Sequence, residues 1–397
     1  MRISTYGSFL SSTQALQRLQ EALDYTQRQI SSGRRILNPS DDPIGSARSI
    51  ELGEALSRLQ QFDRNGVIAA NRLSQEEVAL GSVNNVLQRV RELALQANNA
   101  TQSNETRALI AVEMREQLEN LVQIANQQDG GGSYIFSGNL EETQPVSRSG
   151  STFTYNGDQG QRLIQIGEGR QIADSDPGSN VFFGIRTGNG AFTVVPDNAN
   201  AGTGIIGSSS VTDPAAYDQD SYTVNFINPG NYEVLDSGGA VVRIGLFNPG
   251  ETIDFRGIEL TIDGQPAAGD EFLVAPSGTQ NIFETIDTLA TAIEQPVFGD
   301  ASRAVVSNGV NASLFNIDRA IENILDVRTQ VGTRLAAIDS QADNNGAFEL
   351  TLQSTLAQIQ DLDYAEAISR LSAEATTLEA AQQSFIRTQQ LSLFNYF

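Results

Sequence analysis

Six consecutive residues, Gly202-Thr203-Gly204-Ile205-Ile206-Gly207, fit G-x-G-x-x-G, a spacing that lets backbone N–H groups approach a dinucleotide pyrophosphate. That chemistry needs a strand before the loop and a helix after it. Here Pro196-Asp197-Asn198 precedes and Ser208-Ser209-Ser210 follows, so the segment reads as a flexible loop. Asp174-Ser175-Asp176 and Asp218-Gln219-Asp220 place carboxylates two residues apart, as a hard-cation loop does, but neither continues into an EF-hand pattern. Turn and capping duty is the reading for both, and for Asp41-Asp42. The chain has no histidine, no cysteine and no lysine, its 25 basic residues all being arginine. Ser–His, Cys–His and Ser–Lys nucleophiles are therefore closed, as are H-E-x-x-H zinc sites and disulfides. A carboxylate-pair glycosidase alone survives, and no spacing of the acids favours one. The chemistry-bearing residues point to no enzyme, no metal and no cofactor.

The elements that would position such residues carry more information. Of 35 glycines, 25 lie between Gly130 and Gly278, and nine of 11 prolines lie between Pro145 and Pro296. The flanks carry apolar residues at helical spacing. Ser12, Leu16, Leu19, Leu23, Thr26 and Ile30 step by 4 and 3. Leu73 to Ala97 and Ile110 to Ala125 do the same, and so does the run from Leu314 to Ile359. Tyr364, Ile368, Leu371, Ala375, Leu378 and Phe385 resume that seam after a phase shift near Asp361–Asp363, which reads as a stutter in one long helix. Arg328 interrupts the seam, and snorkelling to a nearby carboxylate is the expectation. Gly33 suits a left-handed C-cap, and Ser40-Asp41-Asp42-Pro43 supplies a cap oxygen and a first-turn proline. The next helix, from about 44 to 100, would span about 85 Å. Gly130-Gly131-Gly132 is expected to end the third helix. The middle alternates with period two at Thr152–Tyr155, Ser221–Phe226 and Gly257–Ile262, between Asn-Gly, Asn-Pro-Gly, Ser-Gly-Gly and Asp-Gly turns. The fold class expected is α+β and multi-domain: a rod of paired N- and C-terminal helices with an all-β central insert. Its parts are 1–42 with 355–397 as a terminal coiled coil disordered in the monomer, 43–140 with 280–354 as the rod, and 141–279 as the β-rich domain.

Charge and hydropathy narrow the partners. A formal net charge of −23 repels a phosphate backbone and anionic lipid, so neither nucleic acid nor membrane is expected. No apolar run reaches the ~18 residues of a membrane span. Met1 to Leu10 lacks a basic stretch followed by an apolar one, so no cleavable secretory signal is expected.

Three blocks carry a family resemblance. Ile30–Pro43, with Asn38-Pro39-Ser40-Asp41-Asp42-Pro43 inside it, resembles the N-terminal block of the flagellin superfamily. Leu87–Ala97 is similar to its core-helix signature, and Ile359–Ile368, including Asp361, Asp363 and Tyr364, resembles its C-terminal block. The match covers roughly 1–145 and 280–397. Within the superfamily the second proline Pro43, the exit Gly132–Gly138, the module Thr252–Pro276 and the aromatic end Leu391–Phe397 resemble the junction-forming members rather than filament flagellins. The resemblance implies a structural subunit that joins the flagellar hook to the filament, outside the cell, exported through the flagellum's own type III channel. Its implied partners are like copies in a ring, hook-associated protein 1, flagellin, and an export chaperone on the C-terminal helix. A filament flagellin is the alternative, and an adhesive or carbohydrate-binding insert a further one. The implied assembly residues are Leu16, Leu19, Leu23, Ile30, Asn38, Pro39, Asp41, Asp42, Pro43, Asp361, Asp363, Tyr364, Ile368, Leu371, Leu378, Phe385, Leu391, Phe394, Tyr396 and Phe397.

Overall fold

A computed structural model describes residues 5–390. Six helices carry the flanks: α1 (Thr5–Ser32), α2 (Pro43–Ala97), α3 (Asn104–Ala125), α4 (Ile282–Glu294), α5 (Asp300–Gln360) and α6 (Tyr364–Gln390). Between α3 and α4 run β1 (Val146–Ser149), β2 (Thr152–Tyr155), β3 (Leu163–Gly167), β4 (Arg170–Ala173), β5 (Ile185–Arg186), β6 (Phe192–Pro196), β7 (Ile205–Val211), β8 (Tyr222–Asn228), β9 (Asn231–Asp236), β10 (Val241–Leu246), β11 (Thr252–Phe255), β12 (Ile258–Asp263), β13 (Glu271–Pro276) and β14 (Thr279–Gln280). The α+β class, long terminal helices around a β-rich middle, is the one the sequence led us to expect. The chain divides into two compact units, 1–64 with 340–397 and 65–339.

The larger unit holds two apolar cores. One joins α2, α3, α4 and α5 through side chains such as Leu87, Met114, Leu118, Ile286, Ile317 and Ile324, and Phe136 and Phe182 extend it into the first strands. The other lies between a five-stranded sheet, β10-β9-β8-β13-β6, and a three-stranded sheet, β11-β12-β7. Alternation sets that core: along β8, Tyr222, Val224 and Phe226 are buried while Thr223 and Asn225 face the other way. Asn308 on α5 ties the second core to the helices. Its Nδ2 donates to Gly204 O at 2.9 Å and its Oδ1 accepts from Ile206 N at 2.7 Å. The G-x-G-x-x-G segment therefore runs into strand β7 rather than a helix, and Asp270 accepts the backbone N–H of its first glycine, Gly202, and that of the preceding Ala201.

Four local expectations change. The Asp361–Asp363 stutter is a break: α5 ends at Gln360, and Asp363 Oδ1 caps a new helix by accepting from Ala365 N (2.9 Å) and Glu366 N (3.2 Å). Helix α3 ends at Ala125, before Gly130, because the Asn126 side chain exchanges two hydrogen bonds with the Val146 backbone. Helix α4 went unread as a helix of its own, although Ile282, Phe283, Ile286, Leu289, Ala290 and Ile293 make a buried stripe at helical spacing. Asp174 and Asp176 serve neither turn nor cap but sit buried against arginines. Arg328 does reach a carboxylate, Glu77, at 2.6 Å.

Candidate assembly interface

In the smaller unit, helix α1 packs against α6. The two run antiparallel, since Phe9 near the start of α1 meets Phe385 near the end of α6, their rings tilted at 40° with centroids 5.6 Å apart. Their inner ends are tied by the chain that follows α1. Gly33 takes φ of +70°, turns the chain out of the helix, and accepts at its carbonyl from Leu362 N at 3.0 Å. A Cβ on Gly33 would stand 2.9 Å from the Tyr364 hydroxyl, so the position suits glycine by conformation and by space. Arg34 bridges to Asp361 in antiparallel fashion, and Arg35 N donates to Gln360 O at 2.7 Å. The Arg35 guanidinium then caps the end of α5, donating to Ile359 O at 2.9 and 3.2 Å, and reaches Asp42 at 3.1 Å.

The acidic pair does two separate jobs. Asp41 Oδ2 accepts from Asn38 N at 2.7 Å and from Leu37 N at 3.1 Å, closing the turn over Pro39. The Asn38 N–H and then the Tyr25 hydroxyl hold the Asp41 carboxyl below the usual carboxylate range. Burial and then Asp41 push the Tyr25 phenol up. Asp42 Oδ1 accepts from Gly45 N at 2.8 Å and caps α2, whose first residue is Pro43. The Gly45 N–H, then Arg35, hold the Asp42 carboxyl low as well. A shallow groove of about 220 Å³ opens beside this turn, lined by Ile36, Pro39, Ile50 and Gln360 among others.

The structure thus brings Asn38, Pro39, Asp41, Asp42, Pro43, Asp361, Asp363 and Tyr364 into one knot. Leu16, Leu19, Leu23, Ile30, Leu371, Leu378 and Phe385 lie half-buried along the α1–α6 pair, while Ile368 is exposed. Leu391, Phe394, Tyr396 and Phe397 fall outside the described residues. Sequence reasoning passed over Tyr25, Gln29, Arg35 and Leu362. Gln29 is buried and donates its side-chain amide to Arg35 O. Their signal was weak, because each acts on a partner from a neighbouring turn or another segment: Tyr25 on the Asp41 carboxylate, Gln29 on Arg35 O, Arg35 on Ile359 O and Leu362 on Gly33 O. Among the described residues no group of acids is arranged to hold a metal, and no helix is long and apolar enough to cross a membrane. What the arrangement does is mechanical: it fastens the two ends of the chain side by side and displays a long, incompletely covered apolar seam.

Residues 3–141 match the bacterial flagellin N-terminal helical region and residues 314–397 the bacterial flagellin C-terminal helical region. The crystal structure of FlgL from Xanthomonas campestris is 33% identical with a TM-score of 0.72, covering 77% of this chain and 99% of that one. The flagellar junction protein FlgL from Legionella pneumophila is 32% identical with a TM-score of 0.73, covering 79% of this chain and all of that one. Flagellar hook-associated protein 3 of Salmonella typhimurium is 22% identical over 395 residues, 99% of each chain. The ends tied by the Gly33–Tyr364 knot are thus the ends that carry the family match, and the chain belongs to the flagellar hook-associated protein 3 family of the flagellin superfamily, structural proteins of the flagellum rather than enzymes.

Proposed function

We propose that the chain joins the flagellar hook to the filament, assembling as a ring of like copies between hook-associated protein 1 and flagellin. One observation carries this reading. Among the described residues of α1 and α6, the fully buried ones are Thr26, Gln29 and Ala367, so the pair has a seam but no closed core. Half-covered leucines and phenylalanine return only part of the roughly 1.5–3 kcal/mol that each full burial gives. Isolated helices are marginal without a packed apolar face. Neighbouring copies supply the missing cover over Leu16, Leu19, Leu23, Ile30, Leu371, Leu378 and Phe385, and Ile368 and Tyr364 add exposed apolar area at the knot. Segments 1–42 and 355–397 then act as an assembly domain that orders on contact, 43–140 with 280–354 as its helical support, and 141–279 as an outward domain. Folding coupled to association keeps the subunit threadable for export through the flagellar type III channel. A cytoplasmic chaperone binds α6 on the same apolar face before export.

Deletion of the gene tests the role. Intact hooks without filaments, with flagellin in the medium, are expected by electron microscopy and immunoblot. Filaments that still form on bare hooks would refute the junction role. Hydrogen exchange on the purified monomer tests the coupling: rapid exchange across α1 and α6 is expected, and strong protection in both would sink it.

A further inference from the structure

The larger unit contains a charged cluster that the assembly role does not use. Five carboxyl groups, Glu76, Asp129, Glu141, Asp174 and Asp176, meet three guanidinium groups, Arg72, Arg162 and Arg334. Arg72 serves Asp129 (3.1 Å), Glu141 (3.3 Å) and Asp174 (3.2 Å). Arg162 serves Glu141 (2.8 Å) and Asp174 Oδ2 (3.0 Å). Arg334 forks onto both oxygens of Asp176, each at 2.8 Å. Every arginine is thereby committed, and Glu76 forms no ion pair among the described residues. Yet Glu76 is fully buried. Its Oε1 accepts from Asp176 N at 3.0 Å, which fixes the chain leaving β4 to α2. Its Oε2 has no partner, and neither does the buried Oδ1 of Asp174 in the same cluster.

An ionised Glu76 would be a buried charge with no cation, beside two further anions, at a cost of several kcal/mol. A neutral Glu76 removes that charge and converts Oε2 from an orphaned acceptor into a donor. The groups acting on it push upward on balance. Burial pushes the Glu76 carboxyl well up, the Asp176 and Asp174 charges push the same way, and the Asp176 N–H and Arg334 oppose them less. Asp129 and Glu141 face Arg72, and Arg162 faces Glu141 and Asp174, so these charges are already paired within the cluster.

We propose that Glu76 carries a proton in the folded protein and that this cluster is a pH-dependent staple, closed at neutrality and opened by alkali, which fastens the root of the β insert to α2 and α5. Protonated, Glu76 satisfies the Asp176 N–H through Oε1 and adds no further negative charge beside Asp174 and Asp176. The proton is bound in the folded chain and lost in the unfolded one. Its contribution to stability is therefore complete below the ordinary glutamate range, about pH 4.3. It is lost as pH rises through the folded-state value.

The test uses the intact chain. Infrared spectra of wild type at neutral pH, with and without carbon-13-labelled glutamate, are expected to show a protonated-carboxyl band that shifts on labelling, bleaches in alkali and is missing from E76Q. Unfolding of both proteins is then followed from about pH 5 to about pH 10. Relative to E76Q, wild type is expected to lose up to about tenfold in folding equilibrium constant per pH unit within the window, the value for one linked proton. Parallel profiles for the two proteins would overturn the proposal. So would a neutral-pH spectrum of wild type without a label-sensitive protonated band, a result that stands even if E76Q fails to fold.

Discussion

At the scale of single residues, the knot rests on conformations few side chains adopt. Gly33 must hold φ of +70° against the Tyr364 hydroxyl. Alanine there costs about 1–2 kcal/mol for the left-handed conformation alone, plus whatever the tyrosine must give. Gly33→Ala is expected to lower the temperature at which isolated hook–filament assemblies come apart. Adding Tyr364→Ala should restore only the steric part, and full recovery would show that the backbone conformation carries no strain. The two carboxyls of the turn respond to acid. Both are held low in the fold, by the Asn38 and Gly45 N–H groups first and by Tyr25 and Arg35 next. Their support is therefore present above the usual aspartate range and lost as pH falls through the folded values. Protection of the Gly45 amide in α2 should fall in acid for wild type. It should hold in Asp42→Asn, which keeps a cap oxygen but has no proton to gain. This is the opposite sign to Glu76, so the two units are expected to fail at opposite ends of the pH scale.

At the scale of elements, Asn308 gives the sharpest expectation. Its buried side chain answers Gly204 O and Ile206 N, so Asn308→Ala strands two backbone groups at about 1–3 kcal/mol each. Thermal unfolding of the intact chain should show that loss. By contrast, Leu378→Ser on α6 should leave the same transition unmoved and abolish assembly, measured as filaments per cell. The contrast marks which elements the sequence could reveal. Helices α1 and α2, with the Gly33 C-cap and the Asp42-Pro43 start, are written in local signals and lie close to where spacing puts them. The strands Thr152–Tyr155, Tyr222–Asn228 and Ile258–Asp263 likewise follow from alternation between turn residues. What escaped was non-local or brief. Arg334 meets Asp176 158 positions away, and no spacing rule reaches so far. Asp363 was read within a drifting seam because a phase shift and a capped restart look alike until the Ala365 and Glu366 amides are seen to turn toward it. Helix α4 lies inside the 280–354 segment expected to be helical, but at only 13 residues between glycine- and proline-rich stretches it offers too short a stripe to be set apart as its own helix.

At the scale of the whole molecule, charge sets the conditions of assembly. The chain carries 48 acidic against 25 basic residues, a net of −23. On the assembly proposed above, copies repel one another, while the seam proposed between them is apolar and nearly indifferent to ions. The repulsion reaches about 30 Å at 0.01 M salt, about 10 Å at 0.1 M and about 3 Å at 1 M. Raising salt should therefore promote association of the purified chain, read as a rising sedimentation coefficient or light-scattering mass. Sulfate should exceed chloride, because it also strengthens apolar burial. Leu371→Ser with Leu378→Ser should remove the response at every salt concentration, since the repulsion would be screened with nothing left to attract. Association that weakens as salt rises would mean instead that copies are held by complementary ion pairs, and the α1–α6 seam would lose its place as the surface between them.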